Sequence, residues 1–126
     1  MVRILIVDDE VQVLESLRRL LRREGFDIEV ALSGEEALRK LGTFAADIVI
    51  SDFRMRGMNG AELLGQVMAQ APDTVRVLLS GQADLQPGSL PSSTTGIISH
   101  FLTKPWDNQH FLSEVRNLLG QLPPSR

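Results

Sequence analysis

The run Ile4-Leu5-Ile6-Val7 is short, wholly apolar and rich in β-branched residues, and it stops abruptly at Asp8-Asp9-Glu10. A strand with no polar face has to be covered on both sides. That is the situation of a strand inside a parallel sheet flanked by helices. Ile48-Val49-Ile50-Ser51-Asp52 repeats the pattern, again ending in an acid. VRVLLSG reads as a further strand ending at Ser80, and HFLTKP as another ending at Lys104. FDIEVAL alternates apolar and polar residues, as a less buried strand does.

The segments between these strands change period. Val13, Leu14, Leu17, Leu20 and Leu21 recur at spacings of three and four, with arginines between them, and Gly25 closes that helix. Ser33 and Glu36 form a capping box for a second helix carrying Ala37, Leu38 and Leu41. Asn59 caps a third, with Leu63, Leu64, Val67 and Met68 on one face. Asp107 caps a last helix that turns Phe111, Leu112, Val115, Leu118 and Leu119 inward. Strand and helix alternate five times with short connections, so the chain is an α/β domain whose parallel sheet is covered by helices on both faces. One unit breaks the rhythm. Between the fourth and fifth strands, ADLQPGSLPSSTTGIISH holds Pro87, Gly88, Pro91, Gly96 and four consecutive Ser/Thr residues. This composition predicts an irregular or shortened fourth helix, with 86–99 as the departing segment.

At 126 residues the chain is one domain, expected over 1–121, with 122–126 a proline-containing tail or the start of a linker. The net charge of −3 and pI of about 5.3 give no electrostatic case for nucleic acid. No apolar run is long enough for a membrane helix, and the acidic residues from Asp8 onward rule out a signal peptide in the opening segment. The cytoplasm is therefore the expected compartment. With no cysteine, thiolate chemistry and disulfides are excluded. His100 and His110 alone cannot build a histidine-rich zinc site, and both read as structural or exposed.

In an open parallel sheet, ligands bind beyond the carboxyl ends of the strands. Here those ends carry Asp8, Asp9, Asp52, Ser80 and Lys104. Ionised carboxylates about 4 Å apart repel by on the order of 4 kcal/mol per pair at an effective dielectric near 20. A hard cation with oxygen ligands, such as Mg²⁺, relieves that repulsion. A metal, an ammonium and a hydroxyl around one carboxylate suit a transferring phosphoryl group, and the carboxylate can itself be the acceptor.

Together, ILIVDDE, SDFRMRGMNG, LLSG and FLTKPW, in this order and at these separations, resemble the receiver domain of two-component response regulators. The resemblance covers nearly the whole chain. It implies a flavodoxin-like (βα)5 doubly wound fold with strand order 2-1-3-4-5. It implies that Asp52 is the phosphoacceptor, served by a sensor histidine kinase or phosphotransfer protein. Mg²⁺ would be held by Asp9, Asp52 and the backbone carbonyl of Arg54, with Asp8 helping through water. Ser80 would be the switch hydroxyl and Phe101 the aromatic that follows it. Lys104 would bind a phosphoryl oxygen, and the peptide bond before Pro105 would be cis. The protein would be a signalling domain rather than an enzyme, catalysing only its own phosphotransfer and dephosphorylation. An output domain C-terminal to this chain and a homodimer through the fifth strand, the last helix and the irregular segment are further implications. FLTKPWD is also similar to regulators whose receiver precedes a metal-dependent phosphodiesterase or an AAA-type activator.

Two arginines depart from the family pattern. Arg56 stands where proline is common, and Arg54 lies two residues after the acceptor, where the family tunes the lifetime of the phosphoryl group. Both are candidate modulators, or simply solvated loop residues. Arg18, Arg19, Arg22 and Arg23 form either a solvated helix face or part of a kinase-docking surface. The alternative function is a receiver-fold interaction module that no longer uses phosphate. A nucleotide or flavin enzyme is disfavoured, because neither G-x-G-x-x-G nor G-x-x-x-x-G-K-[ST] occurs.

Overall fold

The computed structural model describes residues 2–80, 97–103 and 107–120. In chain order these form β1 (Arg3–Val7), α1 (Val11–Arg22), β2 (Asp27–Ala31), α2 (Gly34–Leu41), β3 (Ile48–Asp52), α3 (Gly60–Gln70), β4 (Val75–Ser80), β5 (His100–Thr103) and α4 (Asn108–Leu119). All strand pairs are parallel, and the order across the sheet is β2-β1-β3-β4-β5. This is the doubly wound order expected. The expected irregular segment at 86–99 falls mostly outside the described residues. So do Lys104, the bond before Pro105, Trp106 and the tail at 122–126.

Strand alternation divides the core in two. Ile4, Ile6, Ile48, Ile50, Val77 and Leu79 face α1 and α4, where they meet Leu14, Leu17, Leu21, Phe111, Val115 and Leu118. Leu5, Val7, Val49 and Leu78 point the other way, onto Ala37, Leu63, Leu64 and Val67 of α2 and α3. Ile4 through Val7 are fully buried, as a strand with two covered faces requires. β2 lies at the sheet edge and is buried only at Ala31, in keeping with its alternating sequence.

The helix ends follow the capping chemistry, with two differences. The Asn59 side chain accepts from the Glu62 N–H while Glu62 accepts from the Asn59 N–H, a complete capping box. The Asp107 carboxylate accepts from the His110 N–H at 2.7 Å. At α2 only half of the expected box forms. Ser33 Oγ accepts from the Glu36 N–H at 3.1 Å, but Glu36 reaches past Ser33 to the Leu32 N–H at 2.8 Å. Met68, expected inward, is 40% exposed: it lies about 100° round the helix from the buried Val67, at the edge of the apolar stripe.

Candidate functional site

Asp52 is the last residue of the central strand β3, with Leu79 of β4 as its register partner, and only 5% of it is exposed. Its backbone is tightly held. Ser51 Oγ donates to the Asp52 carbonyl at 3.0 Å, and the next residue, Phe53, donates its N–H to the Leu79 carbonyl at 2.9 Å. The Phe53 carbonyl in turn accepts from the Gly60 N–H at 2.9 Å, tying the first residue of α3 to the end of β3. Gly60 has to be glycine. A Cβ there would sit 2.3 Å from the Asp52 carbonyl oxygen and 2.8 Å from Leu78 Cδ1. Close approach of α3 to β3 thus places the end of β3 and the start of the helix against each other.

Asp8 and Asp9 follow β1, the neighbour of β3. Asp8 is buried, and its Oδ1 accepts from the Glu10 N–H at 2.9 Å, leading into α1. Asp9 is partly exposed, and its Oδ2 accepts from the Arg56 N–H at 3.1 Å, with Arg56 Nε 3.7 Å away. One carboxylate oxygen from each of Asp8, Asp9 and Asp52 lies within 4.8 Å of the others. Three hard oxygen donors at that separation suit a hard divalent cation, and Mg²⁺ in particular binds through a few carboxylates while keeping water. The sheet brings Asp52 beside the adjacent pair Asp8 and Asp9, far away in sequence, because parallel register aligns the ends of β1 and β3.

Ser80 ends β4, one residue beyond the Leu79 that pairs with Asp52. It is fully buried, and its Oγ has no hydrogen-bond partner among the described residues. Phe101 lies on β5 in register with Leu78, half-buried, on the α2–α3 side of the sheet. Arg54 and Arg56 are exposed in the loop after β3. Lys104 lies outside the described residues.

Two features of this region escape a reading of the sequence alone. One is the fit of Gly60 beneath Asp52, since a glycine after an asparagine cap looks like ordinary turn chemistry. The other is the link from Arg56 to Asp9, which spans 47 positions. Away from the site, His100 lies on β5 itself, and its Nε2 is 2.9 Å from Glu114 Oε2, pinning α4 to the sheet edge.

A five-stranded parallel sheet in this order, with an acidic crevice at its carboxyl end, defines a receiver-type signalling domain. Residues 4–116 match the response regulator receiver domain family, and the chain belongs to that family, the signal-receiving part of two-component systems. It is 33% identical over 122 residues to the transcriptional regulatory protein GlrR of Escherichia coli, a match covering 97% of this chain and 27% of that protein. Among solved structures, it is similar to the signal receiver domain of an HD domain-containing protein from Pseudomonas fluorescens. That match has 33% identity and a TM-score of 0.84, over 95% of this chain and 96% of the other. It is likewise similar to the response regulator TrrA of Thermotoga maritima, solved in complex with Mg²⁺-BeF. There the identity is 30% and the TM-score 0.82, over 94% of this chain and 99% of the other. The chain spans between 23% and 52% of the length of the curated relatives it matches. Among the described residues, no helix is long and apolar enough to cross a membrane.

Proposed function

We propose that this receiver domain is a phosphoacceptor switch in which Asp52 takes a phosphoryl group from the phosphohistidine of a sensor histidine kinase or phosphotransfer protein. The observation that carries this reading is the convergence of Asp8, Asp9 and the buried Asp52 on one point at the carboxyl end of the sheet. An Asp52 carboxylate oxygen attacks phosphorus, the P–N bond to the imidazole breaks, and a P–O bond forms. Asp9, Asp52 and the Arg54 carbonyl would hold Mg²⁺, with Asp8 helping through water. When bound, the ion offsets the charge of the acids and of the transferring group. Lys104 supplies a fixed positive charge to a phosphoryl oxygen. Ser80 turns its buried hydroxyl toward the phosphoryl group, and Phe101 follows it, changing the face presented by β5 and α4. Arg54 and Arg56 modulate the reaction from the loop. The TrrA complex with Mg²⁺-BeF supports the metal assignment by family likeness.

The partner kinase, an output domain responding to the switch, and dimerisation through the β5–α4 face belong to the same reading. The direct test is incubation with Mg²⁺ and acetyl phosphate, read as intact mass, with Asp52→Ala as control. A gain of one phosphoryl group in the wild type alone is expected. No gain, together with no binding of Mg²⁺ or beryllofluoride by the folded protein, would instead make the chain a phosphate-independent interaction module.

A further inference from the structure

Arg56 occupies an unusual position relative to the acidic cluster. Its backbone N–H and its guanidinium both address the same atom, Asp9 Oδ2, at 3.1 and 3.7 Å. Asp9 is the most accessible of the three clustered carboxylates, the other two being buried. The Arg56 side chain is 90% exposed, so it can leave Asp9 without any rearrangement of packing. The loop backbone is held on either side, because Met55 and Met58 are packed against the core, so only the side chain of Arg56 is free to leave. Gly57 follows with φ of +78°, a turn conformation that glycine adopts at little cost and that carries the chain on to the packed Met58 and the capping box at Asn59. A cation is thus held beside the outermost carboxylate of the cluster by an exposed side chain that can turn away into solvent.

We propose that Arg56 is a built-in competitor of the divalent cation. In the metal-free chain its guanidinium partly neutralises Asp9, and a divalent ion must displace it or bind beside a like charge. This rests on the reading of Asp8, Asp9 and Asp52 as the metal site. The consequence is a raised Mg²⁺ requirement for loading the receiver, set by a loop residue that contributes no ligand through its side chain. The effect is electrostatic and solvent-screened, so it is modest and depends on salt.

The test is calorimetric titration of the whole chain with MgCl₂ alone, comparing wild type, Arg56→Gln and Arg56→Lys at low and high KCl. Arg56→Gln keeps the backbone N–H and removes the charge, and it is expected to bind Mg²⁺ about two- to fivefold more tightly at low salt. That ratio should shrink toward one at about 0.5 M KCl, where screening acts within a few ångströms. Arg56→Lys keeps the charge and should stay close to the wild type. Equal affinity of wild type and Arg56→Gln at low salt overturns the proposal and leaves the metal site intact. Absence of Mg²⁺ binding in all three proteins overturns the metal reading and this inference together.

Discussion

Replacing Gly60 with alanine sets local and tertiary forces in opposition. Judged by helix propensity alone, the change is favourable: alanine exceeds glycine by about 1 kcal/mol within a helix, partly because glycine leaves the unfolded chain more freedom. The structure reverses the sign. The new Cβ would lie 2.3 Å from the Asp52 carbonyl oxygen, so the two must separate by about 0.7 Å merely to reach the 3.0 Å limit that real contacts respect. The Leu78 methyl at 2.8 Å can rotate aside, but the carbonyl belongs to the central strand and cannot. The start of α3 is equally constrained, by the Gly60 N–H bond to Phe53 and by the Asn59–Glu62 box. Overpacking of this kind costs about 1–3 kcal/mol, which outweighs the propensity gain. We therefore expect Gly60→Ala to lower unfolding stability by about 1–2 kcal/mol, read as a lower urea midpoint at unchanged slope. Gly65→Ala, one and a half turns along the same helix, is the control. Among the described residues its Cβ would meet only Ile97 Cδ1, at an ordinary 3.6 Å, so it should gain about 0.5–1 kcal/mol. Equal or raised stability in Gly60→Ala would refute the argument that α3 is wedged against the end of β3.

Two further outcomes follow from the same site. Ser80→Ala removes a buried hydroxyl that has no hydrogen-bond partner among the described residues, so its unfolding midpoint should hold or rise. It should still accept phosphate at Asp52 yet lose the NMR response of Phe101 to phosphorylation. A loss of more than about 1 kcal/mol would show that the hydroxyl has a structural role. Mg²⁺ at ten times its dissociation constant should stabilise the folded protein by about 1.4 kcal/mol, and EDTA should abolish the gain. Asp52→Asn should shrink this gain while raising metal-free stability by relieving repulsion from Asp8 and Asp9. A denaturation curve indifferent to Mg²⁺ in the wild type would contradict the assignment.

Much of this domain was legible from residue order because its signals are local. Ile4–Val7 and Ile48–Ile50 could only be strands covered on both faces, and they are fully buried. Leu14, Leu17 and Leu21 named the inner face of α1, and Asn59 and Asp107 marked helix starts through side-chain oxygens that act within three residues. The candidate site was legible too, because strand ends in a parallel sheet must converge and the acids stand at those ends. Met68 and the divided box at Ser33 were misread because neighbouring elements decide which side of a stripe is covered and which donor Glu36 reaches.

The sequence by itself determined the alternation of elements, the two-sided burial of the central strands and the set of groups available at the sheet's carboxyl end. All of these depend on composition and spacing over a few residues. The tertiary structure alone decided the distances among Asp8, Asp9 and Asp52, the need for glycine at position 60, the burial of the Ser80 hydroxyl and the guanidinium resting on Asp9. Each of these depends on how separate elements pack against one another. Contacts of that kind arise only when parallel register and helix packing bring separate segments to within a few ångströms, and no local pattern encodes them.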